Sequence, residues 1–161
     1  MPLFSAGSSD ASTGSSDASA GSPDAVTVLV VEDEFFIRED IAAYLQQHGC
    51  IVLEAESGER AIEMCRSGVP VDVLVTDIRL NGSATGWDVA AAFRAARSHI
   101  PVVYASGNPI DPDRCVPGSL FFRKPYRMDD ILEACRSLAR RQPFAVPRCE
   151  IGVRASAGRP I

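Results

Sequence analysis

VTVLVVEDE (26–34) runs from an unbroken apolar stretch into three consecutive acids. Residues 26–31 are β-branched or aliphatic without alternation, the pattern of a strand covered on both faces. Such strands belong to parallel sheets flanked by helices. Downstream, Phe35, Ile37, Ile41, Ala42, Tyr44 and Leu45 recur at helical spacing, predicting a helix over 34–48 that stops at Gly49. CIVLEA (50–55) reads as a second strand, and a helix follows from Ser57, Gly58 and Glu59 to Gly68. VDVLVT (71–76), IPVVYAS (100–106) and SLFF (119–122) read as three more strands. Helices are predicted over 86–97 and 128–141. Strands alternating with helices at short spacing imply a parallel five-stranded sheet, doubly wound.

The flanks differ from this middle. Residues 1–25 are almost entirely Ser, Ala, Gly, Asp and Pro, and AGSSDAS (6–12), TGSSDAS (13–19) and AGSPDAV (20–26) repeat with a period of seven. No repeat position carries a large apolar side chain, so the segment reads as a disordered linker. Residues 143–161 lack periodicity and read as a C-terminal tail, leaving 26–142 as the single domain, with no effector module expected after it. The net charge is −5, and no basic patch suggests nucleic-acid binding. No apolar run is long enough for a membrane span, and no signal peptide begins the chain. The 5 cysteines form no CxxC pair, which suggests reduced thiols in a cytoplasmic protein.

In a doubly wound sheet the ligand site lies at the carboxyl ends of the strands. Strand one ends in Glu32, Asp33 and Glu34, strand three in Asp77, strand four in Ser106, and strand five in Arg123, Lys124 and Pro125. Clustered carboxylates resist full ionisation unless a cation joins them. Carboxylates with a backbone carbonyl and water make a hard-oxygen site suited to Mg²⁺. A lysine and a hydroxyl suit phosphoryl oxygens, and a carboxylate such as Asp77 is able to form an acyl phosphate. Of 16 basic residues Lys124 is the sole lysine, which argues for a point charge at that position rather than a fork.

VLVVEDE (28–34), VLVTDIRL (73–80), VVYASG (102–107) and FFRKPY (121–126), in this order and each at a strand end, resemble the receiver domain of two-component response regulators. The resemblance covers about 26–142. It implies a flavodoxin-like (βα)5 sheet of order 2-1-3-4-5. It implies that Asp77 is the phosphoacceptor and that Glu32 and Asp33 are the acidic pair, with Asp33 the direct Mg²⁺ ligand and Glu32 reaching the metal through water. Arg79 would supply a backbone carbonyl to the metal, its side chain overhanging the site. Ser106 would be the switch hydroxyl, Lys124 the phosphoryl-binding lysine and Phe121 the switch aromatic, with an inward bias because Phe lacks a hydroxyl. In the family the Lys–Pro bond at 124–125 is often cis. The implied partners are a sensor histidine kinase or histidine phosphotransfer protein, with an unnamed downstream protein. The implied state is monomer or weak homodimer, with intrinsic autodephosphorylation in place of enzymatic turnover.

Two departures stand out within the domain. Asn81 stands where the family usually has proline, in a loop to Gly86 about one residue longer than common. Only 17 residues separate Ser106 from Lys124, among them Pro109, Pro112 and Pro117. Asp111 is placed to cap a helix beginning at Pro112, which Pro117 would end almost at once. The fourth helix is therefore expected to be one turn or absent, as in a divergent group of stand-alone alphaproteobacterial receivers. Other functions weigh less. A phosphorylation-independent interaction module would not need the acidic, Asp, Ser and Lys set. An aspartyl phosphohydrolase carries its nucleophile on the first strand, and a flavin site would not place acids after it.

Overall fold

A computed structural model describes residues 25–140. The linker predicted over 1–25 lies outside the described residues except Ala25, and the tail predicted over 143–161 lies wholly outside them. The chain runs β1 (Thr27–Val31), α1 (Phe35–Gln47), β2 (Ile51–Ala55), α2 (Gly58–Arg66), β3 (Val73–Thr76), α3 (Gly86–Ala96), β4 (Val102–Ser106), a 3-10 turn (Pro112–Arg114), β5 (Leu120–Arg123) and α4 (Met128–Arg140). All strand pairs are parallel, and the sheet order is β2-β1-β3-β4-β5. This is the doubly wound architecture expected.

Alternate residues of each central strand feed opposite faces. Leu29, Val31, Leu74, Val102 and Tyr104 pack against Ala61 of α2 and Val89, Ala90 and Phe93 of α3. Val28, Val30, Val73, Val75 and Val103 pack against Ile41 and Leu45 of α1 and Ile131, Leu132, Cys135 and Leu138 of α4. Each buried Val, Leu, Ile or Phe among these contributes about 1.5–3 kcal/mol by leaving water, so the central strands are held from both sides. Their ends become a rigid rim.

Side chains tie the helix starts to the loops that precede them. Ser57 accepts from the Arg60 N–H at α2. Thr85 and Asp88 form a reciprocal capping box at α3, and this hydrogen bond holds the Asp88 carboxyl below its ordinary pKa. The shortened fourth helix is a single 3-10 turn capped by Asp111, whose side chain accepts from the Asp113 N–H at 3.1 Å. Pro112 occupies its first position. One sequence reading changes: Phe35, counted with the apolar face of α1, is 56% exposed, and that face buries Ile41, Ala42 and Leu45 instead. Phe35 sits in the first turn, where the helix overhangs the rim instead of the sheet.

Candidate phosphoacceptor site

Register sets the site. Val31 pairs with Thr76, so the residues that follow, Glu32 and Asp77, leave the sheet side by side. The Asp77 N–H donates to the Val31 carbonyl at 3.0 Å. Ser106 pairs with Arg123, and the Lys124 N–H donates to the Ser106 carbonyl at 2.9 Å. The Lys124–Pro125 peptide bond is cis.

The Lys124 ammonium lies between two carboxylates, 2.8 Å from Glu32 Oε2 and 2.6 Å from Asp77 Oδ2. The second oxygen of each carboxylate takes a backbone N–H: Glu32 Oε1 from Glu34 at 3.3 Å, Asp77 Oδ1 from Arg79 at 3.1 Å. Burial alone would lower the Lys124 pKa, but hydrogen bonds to Asp77 and Glu32 outweigh it and hold the ammonium charged above its ordinary range. Glu32 shifts upward because its burial exceeds what Lys124 returns. The two directions agree physically, since one ammonium facing two carboxylates is over-satisfied while each carboxylate holds only a share of it. Burial also pushes the neighbouring Tyr126 phenol up to about 12, so it stays protonated near neutrality.

Asp33, Glu34, Asp77, Arg79, Asn108 and Lys124 line an open cleft of about 600 Å³, with Leu80, Asn81, Thr85 and Gly107 completing it. Asp33, Asp77 and Arg79, the residues expected to face the metal directly, all line this cleft. Glu32, expected to reach the metal through water, is 2% exposed, does not line the cleft, and places its two oxygens against the Lys124 ammonium and the Glu34 N–H. Its longer side chain turns back to the lysine because an ammonium stabilises a buried carboxylate that water no longer reaches. Among the described residues no three acidic, histidine or cysteine side chains gather closely enough to enclose a metal by themselves. Mg²⁺ does not require such a cage, because it keeps several waters and takes one or two carboxylates. Asp33 and Asp77 on an open, acid-rimmed cleft fit that requirement.

Ser106 is fully buried at the end of β4, where its Oγ accepts from the Asn108 N–H at 3.4 Å. It stands beside the cleft, not on it. Phe121 is 8% exposed and packs inward with Trp87 and Tyr104. Sequence reasoning did not single out Thr85 or Asn108 on the cleft, nor the exposed pair Phe35 and Phe36 that follows Glu34, whereas Asn81, noted as a departure in the loop after Asp77, does line it. For the phenylalanines a signal existed, since Phe36 lies off the apolar face of α1. A second depression, about 480 Å³ on the outer face of α4, is lined by Asp129, Glu133, Arg136 and Arg140 among others. Its charges are mixed and no strand end points into it.

The sheet order, the paired strand ends and the lysine between two carboxylates define a class, the phosphoacceptor receivers of two-component signalling. The comparisons agree. The family model of the response regulator receiver domain matches residues 28–136, and the chain belongs to this family. A response regulator receiver protein of Sinorhizobium medicae is similar at 35% identity and a TM-score of 0.70, covering 73% of this chain and 97% of that one. The receiver domain of the hybrid histidine kinase CckA is similar at 27% identity and a TM-score of 0.60, covering 70% and 98%. Among curated proteins, the alkaline phosphatase synthesis transcriptional regulatory protein SphR of Synechococcus elongatus is 32% identical over 138 residues, 76% of this chain and 53% of that protein. The chain spans about half the length of the curated relatives it matches. Receiver domains are phosphoacceptors that generally bind Mg²⁺ at the phosphorylation site and interact with histidine kinases or phosphotransfer proteins. Among the described residues no helix is long and apolar enough to cross a membrane.

Proposed function

We propose that Asp77 accepts a phosphoryl group from a histidine kinase or histidine phosphotransfer protein, and that the protein then switches a partner or relays the group. The observation that carries this reading is the placement of Asp77, which ends a central strand with its carboxylate on the cleft and its Oδ2 2.6 Å from Lys124. An Asp77 carboxylate oxygen attacks phosphorus in line. The new O–P bond forms as the N–P bond of the phosphohistidine breaks, and the imidazole leaves with that electron pair. Lys124 offers its ammonium to a phosphoryl oxygen. Bound Mg²⁺ would supply charge neutralisation for the phosphoryl oxygens, held by Asp33, Asp77 and the Arg79 carbonyl.

Ser106 and Phe121 are the switch pair of this reading. Ser106 must leave its Asn108 contact to reach a phosphoryl oxygen, which loosens the start of the β4–β5 segment. Phe35 and Phe36, 56% and 80% exposed beside the acids, suit docking of a donor protein over the cleft. A second reading, a phosphorylation-independent interaction module, draws on the pinning of the β4–β5 segment: Arg94 donates to the Pro117 carbonyl at 2.8 Å, and Val116 N–H donates to the Tyr104 hydroxyl at 3.5 Å.

Phosphoryl incorporation from a small acyl-phosphate donor separates the two, using wild type and Asp77→Asn with and without Mg²⁺ on a phosphate-sensitive gel. The phosphoacceptor reading expects incorporation that needs both Mg²⁺ and Asp77. Absence of incorporation together with absence of Mg²⁺ binding in wild type would favour the interaction module.

A further inference from the structure

The loop from Arg79 to Thr85 carries part of the cleft wall, yet its own backbone does little to hold it. Its base is closed by the Gly86 N–H donating to the Ile78 carbonyl at 3.0 Å, and Thr85 is tied to Asp88. At the tip, the Ser83 N–H, the Ser83 hydroxyl and the Ala84 N–H all donate to one oxygen of Glu59, at 2.6, 2.8 and 3.0 Å. Glu59 belongs to α2, a helix with no residue on the cleft.

Two glycines make the approach possible, one on each side. A Cβ at Gly82 would lie 2.7 and 2.8 Å from the Glu59 carboxylate oxygens, and the φ of +129° there disfavours any other residue. A Cβ at Gly58 would lie 2.6 Å from the Ala84 carbonyl oxygen. Glu59 does not complete the Ser57 cap of its own helix, because the cap is made with Arg60 and a reciprocal box would need the acid at that third position. Hydrogen bonds from the Ser83 hydroxyl, its own backbone N–H and the Ala84 and Ser83 N–H groups hold its carboxyl down at about 2, so it is ionised across the neutral range.

We propose that Glu59 is a positioning residue for the phosphoacceptor site, locking the tip of the 79–85 loop so that Arg79 and Asn81 hold their places on the cleft beside Asp77. This rests on the receiver reading above and deepens it, giving the longer loop that carries Asn81 a clamp from a neighbouring helix.

The full chain tests it in three measurements on wild type, Glu59→Ala and Glu59→Gln: hydrogen exchange of the 80–85 segment, Mg²⁺ affinity by calorimetry without a phosphodonor, and the rate of phosphoryl incorporation. In Glu59→Ala the segment loses protection while the rest of the domain keeps it. Mg²⁺ affinity falls about tenfold, the low end of the ~10–100-fold seen when groups supporting metal ligands are removed. Glu59→Gln, which keeps an acceptor oxygen, recovers part of both, and it carries the test alone if the alanine variant does not fold. Glu63→Ala removes an exposed carboxylate from the same helix and leaves both readouts at wild-type values, excluding a general charge effect. Unchanged protection in Glu59→Ala, or lost protection with unchanged Mg²⁺ affinity, overturns the proposal. A wild type that binds no Mg²⁺ and takes no phosphoryl group would instead remove the receiver reading, so the two failures are told apart.

Discussion

Gly86 opens α3 directly behind Asp77, the proposed phosphoacceptor, and replacing it with alanine pits two effects of opposite sign. Alanine is the better helix former by at most ~1 kcal/mol, chiefly because glycine gives up more backbone freedom on folding. Against this, the added Cβ would lie 2.0 Å from the Asp77 carbonyl oxygen, 2.9 Å from its carbon and 2.9 Å from Thr76 Oγ1. None of these atoms belongs to a flexible side-chain end, since Thr76 Oγ1 donates to that same carbonyl at 2.8 Å and is fully buried with its residue. Relief therefore requires α3 or the Asp77 backbone to move by more than 1 Å, roughly, in an interior packed as densely as an organic crystal. Overpacking of this kind costs about 1–3 kcal/mol and occasionally more. The clash wins, and Gly86→Ala should lose about 1–2 kcal/mol, a fall in Tm of about 4–8 °C for a domain of this size. Displacing Asp77 by ~1 Å should also slow phosphoryl incorporation by up to about a hundredfold. Thermal melts followed by circular dichroism and the phosphate-sensitive gel read the two effects separately. A Tm at or above wild type would refute the steric argument. A lowered Tm with unaltered incorporation would refute the link between the start of α3 and the placement of Asp77.

Removing the ammonium in Lys124→Met leaves the Glu32 and Asp77 carboxylates without the cation they share. Fully buried pairs lose ~3–5 kcal/mol when one partner is deleted, and the partial exposure of Lys124 and Asp77 here reduces the expected loss to about 1–3 kcal/mol. Because the folded-state pKa of Lys124 lies above the ordinary lysine value of 10.5, its contribution is complete below that value and fades as pH rises beyond it. Urea unfolding of wild type and Lys124→Met at pH 7 and above pH 11 should therefore differ most at pH 7, and an equal gap at both would contradict this assignment. Glu59 has the opposite sign: its pKa is lowered from 4.5 to about 2, so its stabilisation is present above 4.5 and lost as pH falls toward 2. Glu59→Gln should be less stable than wild type at pH 6 and converge with it near pH 2 in the same assay, whereas a constant offset would place the effect elsewhere.

The parts of this molecule legible in its sequence share a cause. VTVLVV, VDVLVT and IPVVYAS are strands whose both faces are apolar, and only a parallel sheet between two helical layers buries both faces. With that periodicity the acids, the serine and the lysine at the strand ends fall on one rim of the sheet. The single 3-10 turn at Pro112–Arg114 was legible for the same local reason, because Asp111, Pro112 and Pro117 act within a few residues of themselves. What local pattern did not carry were choices made between distant segments. Glu32 and Asp33 are adjacent in sequence and chemically alike, yet one turns back to Lys124 and the other faces the cleft, which depends on where the end of β5 sits. The exposure of Phe35 depends on how far α1 overhangs the sheet. The attachment of Glu59 to Ser83 and Ala84 joins residues 24 and 25 positions apart and needs glycine at two places, Gly58 against Ala84 and Gly82 against the Glu59 carboxylate. Hydrophobic periodicity determines the layers and hence the rim, since burial is additive and read residue by residue. The partner of each polar group on that rim is decided by tertiary structure alone, since a hydrogen bond depends on where two chain segments meet.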